Sequence, residues 1–359
     1  MHKHTIFIVP ILLSLLIGCK SDKNNILIKT ASFQHPDEIV KGDGFVILAD
    51  RRIFAVMAFL NAMGYKDEVE GKKMHPVRVK VREMLNNQAK LHPVKYNTWK
   101  NYYNKHKLPV YSYLNYVLSL NADYPFKRIR PSSELWSPET ANILSDFPDI
   151  LNDFWSIINL EHIWNKVKSD YRAEIHKYDF ERMNHELNFV WEYLRTDRKD
   201  SFVIINIPNL LDRHHHAIMS RYENYYYCVE SPESHSYGLN IHEYLHSIVN
   251  PIVETTYPKY KNKLLAYYKT SREAPLVRSY QNPVTFTYEC LVRALDHRIR
   301  LLMNNNDLDS TNKRIDHLSQ KGLTLTKPFF SLLNEFEDSD MNFESFVPIM
   351  LDKLPDYSN

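Results

Sequence analysis

A short segment near residue 242 combines two histidines and a glutamate at a spacing that suits a metal ion. It reads His242-Glu243-Tyr244-Leu245-His246 and matches the pattern H-E-x-x-H. On a helix, residues four positions apart lie on one face, about 6 Å apart along the axis, so both imidazoles can reach one ion. Glu243 would stand beside that ion, where its carboxylate can take a proton from an activated water. The segment therefore predicts a hydrolytic zinc site with His242 and His246 as metal ligands and Glu243 as general base.

The residues around this motif indicate the element that must carry it. Apolar side chains recur at helical spacing, as in a buried active-site helix: Leu239, Ile241, Leu245, Ile248 and Val249. A helix with two hydrogen-bonded core histidines and no ion is the alternative. Pro251 is expected to end or kink the helix, because it lacks an N–H and crowds the carbonyl of Ser247.

A catalytic zinc needs a third protein ligand and one open position. Glu289 is the preferred ligand, because it lies on the next apolar helix and a buried carboxylate there needs a partner. Glu254 is disfavoured, since eight residues of helix would carry it about 12 Å along the axis. Arg293, one turn after Glu289, is a catalytic candidate that would orient this carboxylate or bind a substrate carbonyl. The alternative is a surface ion pair between Glu289 and Arg293.

Other side chains offer supporting roles. Asn250 lies one turn beyond His246 and is a candidate hydrogen-bond partner for it, although an asparagine that ends the helix is the alternative. The consecutive histidines 214–216 and the loop residue His235 are more typical of exposed, incidental histidines. Three tyrosines are candidate donors to an oxyanion: Tyr257, Tyr280 and Tyr288.

The first 25 residues predict export and attachment to a membrane. A basic start precedes an apolar run at 5–17, which is too short to span a bilayer comfortably, and Gly18 and Cys19 then follow in the order of a lipobox. We expect residues 1–18 to be a lipoprotein signal peptide and residues 19–25 to be the lipidated cysteine and its tether. An ordinary secretory signal or a short membrane anchor is the alternative. Lys20 stands where resemblance to enteric lipoproteins would place Asp for inner-membrane retention, which favours the outer membrane of a bacterial envelope.

Composition sets the broad class of the chain. It has 44% hydrophobic and 25% charged residues and a formal net charge of +2, which is globular and gives no reason to expect a nucleic-acid partner. Only 7 glycines are present, which disfavours glycine-rich phosphate loops and many-turned all-β folds. Cys228 and Cys290 either pair in an oxidising compartment or are buried as free thiols. We predict an α+β fold that is predominantly helical.

Three regions follow the tether. Residues 26–200 are predicted to be a helical N-terminal region, with Asp50 capping an early helix. Residues 201–305 should hold the catalytic core, with buried strands at 202–207 and 224–231 and a helix that starts after the cap Asn282. Segment 224–231 is expected to be an edge strand that aligns an extended substrate by strand addition. Residues 306–359 should be a C-terminal helical region.

The order of these motifs resembles known metallopeptidases. His-Glu-x-x-His followed by a glutamate on a later helix resembles the gluzincin class. The chain is more closely similar to a bacterial group called domain of unknown function 4932, on the lipobox, Asp50-Arg51-Arg52-Ile53, residues 242–251 and residues 289–294. This similarity would cover most of residues 30–350. It implies a zincin-like catalytic core and supports the metal site, but it implies no particular substrate.

These features together predict an envelope-anchored zinc metallopeptidase that hydrolyses peptide bonds. Zn²⁺ would be its cofactor, and its partners would be a peptide or protein substrate and the membrane that holds Cys19. The alternative is a non-catalytic envelope lipoprotein that binds peptide or glycan, with zinc structural or absent. A structural zinc would need a fourth protein ligand, such as His235.

Overall fold

The computed structural model describes most of the chain after residue 38. The described ranges are 39–42, 45–131, 137–196, 203–222, 225–233, 237–278, 280 and 282–355. The predicted signal peptide, Cys19 and the tether lie outside them, and so does His235. Within the described ranges, no helix combines the length and the apolar character needed to cross a membrane.

The described chain folds into five strands and thirteen helices. The strands are β1 Ile39–Gly42, β2 Phe45–Leu48, β3 Val203–Pro208, β4 Ala217–Tyr222 and β5 Tyr225–Glu230. The helices before β3 are α1 Arg51–Ala62, α2 Pro76–Leu91, α3 Pro93–Lys105, α4 Val110–Val117, α5 Pro138–Ile143, α6 Phe147–Ile157, α7 Leu160–Ile175 and α8 Phe180–Leu194. The helices after β5 are α9 Ile241–Ser271, α10 Pro283–Met303, α11 Leu308–Gln320, α12 Thr326–Glu337 and α13 Phe343–Lys353. The predominantly helical α+β class is therefore confirmed.

One mixed sheet holds all five strands in the order β1-β2-β3-β5-β4. β3 runs parallel to both of its neighbours, whereas β1 and β4 are antiparallel to β2 and β5. All six residues of β3 are buried, as the short β-branched run predicted. The sheet also joins strands from both sides of residue 201, because β2 comes from the region that we predicted to be helical.

The expectation that segment 224–231 forms an edge strand is wrong. β5 is paired on both sides, with β3 across Val203↔Tyr225 and with β4 across Ala217↔Glu230. β4 itself was missed, because its sequence Ala-Ile-Met-Ser-Arg-Tyr mixes polar and apolar residues without the β-branched run that marks β3. The outer position on this side of the sheet therefore belongs to β4.

Local signals fixed the starts of the important helices. The side chain of Asp50 accepts from the backbone N–H groups of Arg52 and Ile53, and that of Asn282 accepts from Thr285, so both predicted caps are confirmed. The motif helix does not end at Pro251, which was one of the two predicted effects of this proline, because the 31-residue helix α9 includes both Pro251 and Pro258. Its buried stripe continues past both prolines and packs against α10 and α13. Tertiary packing thus outweighs the hydrogen bonds that the two prolines remove.

The two cysteines in the described ranges do not pair. Cys228 on β5 and Cys290 on α10 are both free thiols and both buried. Burial raises the pKa of each thiol, to about 12 for Cys290, which keeps them protonated. Of the two alternatives, the structure shows buried small side chains in the core.

Candidate metal centre

The first two turns of α9 and the second turn of α10 build the site. His242 and His246 lie one turn apart on α9, with ring centroids 5.0 Å apart and ring planes at 83°. Glu289 faces them from α10, and α9 and α10 pack against each other. Each helix is fixed near the site by an asparagine cap, Asn240 for α9 and Asn282 for α10. The short helical spacing places the two histidines, and the packing of the two helices adds the carboxylate.

The three side chains converge at distances that suit a metal. Glu289 Oε1 lies 3.7 Å from His242 Nε2, and Glu289 Oε2 lies 3.4 Å from His246 Nε2. One ligand atom from each of the three residues falls within 4.8 Å of the others. Ligand atoms held at about 2.0–2.1 Å from a tetrahedral zinc would be about 3.3 Å apart, which is longer than a good hydrogen bond and close to both distances. Among the described residues, this is the one group of three metal-ligating side chains that come so close.

Glu289 is held on its other side by an arginine. Arg293 Nη2 lies 2.6 Å from Glu289 Oε1, and Glu289 is only 7% exposed, so the alternative of a surface ion pair is wrong. Tyr280 lies beside Arg293 and, with Glu289, raises the pKa of this guanidinium. Burial alone would raise the pKa of Glu289, but His246, His242 and Arg293 hold it well below its usual range. The carboxylate is therefore ionised and oriented towards the two imidazoles.

Asn250 orients the second histidine. Its side-chain Oδ1 lies 3.1 Å from His246 Nδ1, as the position one turn along the helix predicted. An amide oxygen only accepts, so Nδ1 carries a proton, and Nε2 is the atom that offers a lone pair on the side of Glu289 once its own proton is lost. The ring of Tyr288 packs edge-on against His246, with centroids 5.7 Å apart.

The two histidines differ in their affinity for a proton. Burial lowers the pKa of His242 to about 4, so this imidazole is neutral near pH 7. Burial acts in the same direction on His246, but the adjacent carboxylate of Glu289 outweighs it and raises the pKa of His246 above its usual value. His242 is therefore ready to bind a cation near neutral pH, whereas His246 must lose a proton to do so.

Glu243 is the buried acid beside the cluster. Burial raises its pKa to about 7, and the carboxylates of Glu289 and Glu230 act in the same direction. A general acid–base group works best when its pKa is near the working pH, and a divalent cation beside it would lower this pKa again. The environment of Glu243 therefore suits proton transfer.

Glu230 is a supporting residue that the sequence did not reveal. It ends β5, is 1% exposed, and accepts from the hydroxyl of Tyr178 at 2.8 Å and from the amide of Asn240 at 3.2 Å. Because Asn240 caps α9, this contact ties the end of the sheet to the start of the motif helix. An acidic residue at the end of an apolar strand was the available signal.

The other candidate residues differ in whether they lie at the site. Tyr280 lies beside Arg293 and Tyr288 packs against His246, whereas Tyr257 has no such contact among the described residues. Glu254 is exposed on α9 and takes no part in the cluster, as predicted. Histidines 214–216 bond to other partners, namely the carbonyls of Lys73 and Glu233 and the carboxylate of Asp212.

Comparison with known proteins does not extend this description. No protein-family model matches the chain, and no curated protein and no solved structure is significantly similar to it.

Proposed function

We propose that this chain is a zinc-dependent peptidase of the gluzincin type, resembling the group called domain of unknown function 4932. One observation carries the proposal. The ligand atoms of His242, His246 and Glu289 converge within 4.8 Å, beside a buried Glu243 whose pKa is raised to about 7. Two imidazoles and one carboxylate are a donor set that catalytic zinc takes.

The donor set fits zinc for reasons of charge as well as distance. His242 is neutral, Glu289 is ionised, and Asn250 directs the lone pair of His246 towards Glu289. When bound, zinc supplies a Lewis acid that polarises the scissile carbonyl and makes water more acidic. Three protein ligands, with no fourth within 4.8 Å among the described residues, leave the open position that catalysis needs. Three ligands are the number that a catalytic zinc takes from the protein, whereas the structural alternative needs a fourth ligand such as His235, which lies outside the described ranges.

The residues of the chain supply the rest of the chemistry. Glu243 accepts the proton of the attacking water and passes it to the leaving amine. Arg293 holds Glu289 Oε1 at 2.6 Å, while Oε2 lies 3.4 Å from His246 Nε2 and would be the carboxylate oxygen available to zinc. β4 lies at the outer side of the sheet and packs against α9, so it replaces β5 as the strand that would align an extended substrate.

The location of the enzyme follows from the sequence before the described residues. We propose that Cys19 carries the lipid, that residues 20–25 act as the tether, and that the protein faces peptide or protein substrates from the outer membrane of a bacterial envelope. Two acyl chains bind a membrane firmly, since each buried CH₂ contributes about 0.8 kcal/mol.

The test is the exchange of the proposed base. Glu243→Gln keeps the shape of the side chain but removes its proton affinity, so we expect zinc content and melting temperature to stay unchanged. A positioned base contributes about 10²–10⁴-fold in rate, so cleavage of a broad peptide library should fall at least about a hundredfold. Chelation should abolish wild-type cleavage, and added zinc should restore it.

Glu254→Gln is the matched control, because it makes the same change at an exposed position of the same helix. It should cleave at the wild-type rate. A Glu243→Gln protein that binds zinc and cleaves as fast as the wild type would contradict the proposal, and the non-catalytic lipoprotein would then replace it.

A further inference from the structure

A pocket lies where the end of α1, the connection from α3 to α4 and the loop from β3 to β4 meet. Its volume is about 400 Å³, within the range of small-molecule sites. The lining residues come from these three segments and none belongs to the candidate metal centre: Leu60, Tyr65, Asp67, Tyr103, Leu108, Pro109, Val110, Tyr111, Arg213 and His216.

A buried carboxylate organises the polar wall of this pocket. Asp212 is 2% exposed and accepts from the hydroxyl of Tyr65 at 2.6 Å and from the backbone N–H of Arg213 at 2.7 Å. Its Oδ2 lies 2.7 Å from His216 Nδ1, so the imidazole donates through Nδ1. The amide of Asn209 also donates to Oδ2 at 3.4 Å, so four contacts hold Asp212 in place, and Asp212 holds Tyr65 and His216 at the pocket.

The histidine triplet contributes one residue to the pocket. His214 bonds to the carbonyl of Lys73 and His215 bonds to that of Glu233, whereas His216 lines the cavity. Nε2 of His216 forms no hydrogen bond within the described ranges. With Nδ1 directed to Asp212, Nε2 is the ring atom of His216 that can hydrogen-bond to a ligand hydroxyl group, which both donates and accepts.

The wall carries charges of both signs. Arg213 Nε lies 3.3 Å from Asp67 Oδ2, and both side chains line the pocket. A carboxylate ligand would meet Asp67 and, behind His216, Asp212, while a cation would meet Arg213. Donor and acceptor groups are therefore both available, and an ion of either sign would meet a like charge at this wall.

The rest of the lining is aromatic and aliphatic. Tyr65, Tyr103 and Tyr111 contribute rings, and the segment at 108–110 contributes a leucine, a proline and a valine. Aromatic rings pack well against the C–H faces of flat, partly apolar molecules. A ligand for this pocket thus needs an apolar face and a neutral edge that both donates and accepts hydrogen bonds.

We infer that this pocket binds a neutral sugar. A pyranose ring has C–H faces that can pack against the tyrosines, and it has hydroxyl groups that can hydrogen-bond to Asp67, Arg213 and His216. The inference is independent of the proposed peptidase activity, because it uses none of the metal-centre residues.

The test is binding of four disaccharides to the full-length chain, purified in a detergent without a sugar headgroup. Maltose, cellobiose, lactose and diacetylchitobiose vary the ring stereochemistry and add an acetamido group. We expect at least one of them to show saturation transfer by NMR and a measurable Kd by calorimetry. Chelation of zinc should leave this Kd unchanged.

Two substitutions locate the sugar. His216→Ala removes the imidazole and Tyr111→Ala removes an exposed ring, and each should weaken binding about tenfold, the equivalent of one good contact. His215→Ala is the matched control within the triplet, and Tyr124→Ala is the matched control for an exposed tyrosine, since Tyr111 is 40% and Tyr124 is 42% exposed. Both controls should bind as the wild type does.

Three results would overturn the inference. One is that none of the four sugars binds, although a cooperative thermal unfolding transition shows that the protein is folded. Another is that a control variant loses as much affinity as its partner. The third is that 3-phenylpropionate, an acid of similar apolar content, binds at the pocket more tightly than every sugar, which would assign the pocket to an organic anion.

Discussion

Nδ1 of His246 lies 3.1 Å from Oδ1 of Asn250, one turn further along the same helix. This contact fixes the tautomer of the imidazole and keeps Nε2 as the lone-pair atom that faces Glu289. It forms at the point where Pro251 enters the helix, and the helix continues past that proline. The four-residue spacing of His246 and Asn250 thus determines which nitrogen of His246 faces the three-residue cluster.

Asn250→Leu should weaken zinc binding. Leucine has a similar size but cannot accept the Nδ1 proton, so His246 loses its fixed orientation, and a partner of this kind is worth about 10–100-fold in metal affinity. Competition with a chromophoric chelator measures the change. Ser247→Ala is the control, because that hydroxyl bonds to the backbone carbonyl of Tyr244. Equal zinc affinity in Asn250→Leu and wild type would show that the contact does not position the ligand.

The identity of the third ligand can be tested by removing one carboxylate at a time. Glu289→Ala should lower zinc affinity by more than about a hundredfold, which exceeds the loss expected when a residue that only orients a ligand is removed. Glu254→Ala, on an exposed face of α9, should leave one zinc per chain. Glu289→Gln keeps a polar partner for Arg293, so that a loss of zinc in this variant does not result from misfolding. Full zinc content in a folded Glu289→Gln protein would reject the assignment and direct attention to His235.

The pH dependence of zinc binding should report a single ligand proton. The pKa of His246 is raised, that of His242 is lowered to about 4, and that of Glu289 is below its usual range. From about pH 5 to 6.5, therefore, only His246 must release a proton, and affinity should fall about tenfold for each unit that the pH falls. Above the pKa of His246 the curve should flatten.

Glu243 also binds a proton in this range, since its pKa is raised to about 7. The measurement is therefore made in Glu243→Gln, and the wild type should show a steeper dependence because the ion displaces that proton as well. A slope of two in Glu243→Gln would mean that both histidines are protonated before zinc binds, which would contradict the difference between His242 and His246.

Localisation depends on Cys19, which precedes the described residues. If its thiol carries the lipid, Cys19→Ala should move the chain from the membrane fraction to the soluble fraction or leave its signal uncut. Fractionation with metabolic labelling by a fatty acid measures both. A Cys19→Ala protein that is still labelled and still cut at the same bond would exclude a lipoprotein.

Features that depend on neighbours in the sequence were predicted well. The caps at Asp50 and Asn282, the buried strand β3 and the common face of His242 and His246 all follow from residues a few positions apart. Backbone geometry and local hydrogen bonds decide such features, and both can be inferred from residue types and spacing. The rejection of Glu254 rested on helix length, and the choice of Glu289 rested on the apolar residues around it in the sequence.

Features that depend on distant residues were not predicted. β5 lies inside the sheet because β4 pairs with it, and α9 passes Pro251 because its buried face packs on α10 and α13. The sequence by itself determined which side chains could act on a metal and how two of them are spaced. Only the tertiary structure decided that Glu289 meets them, with Arg293 behind it, because that distance is set by the packing of two helices and by the burial that excludes water from their charges.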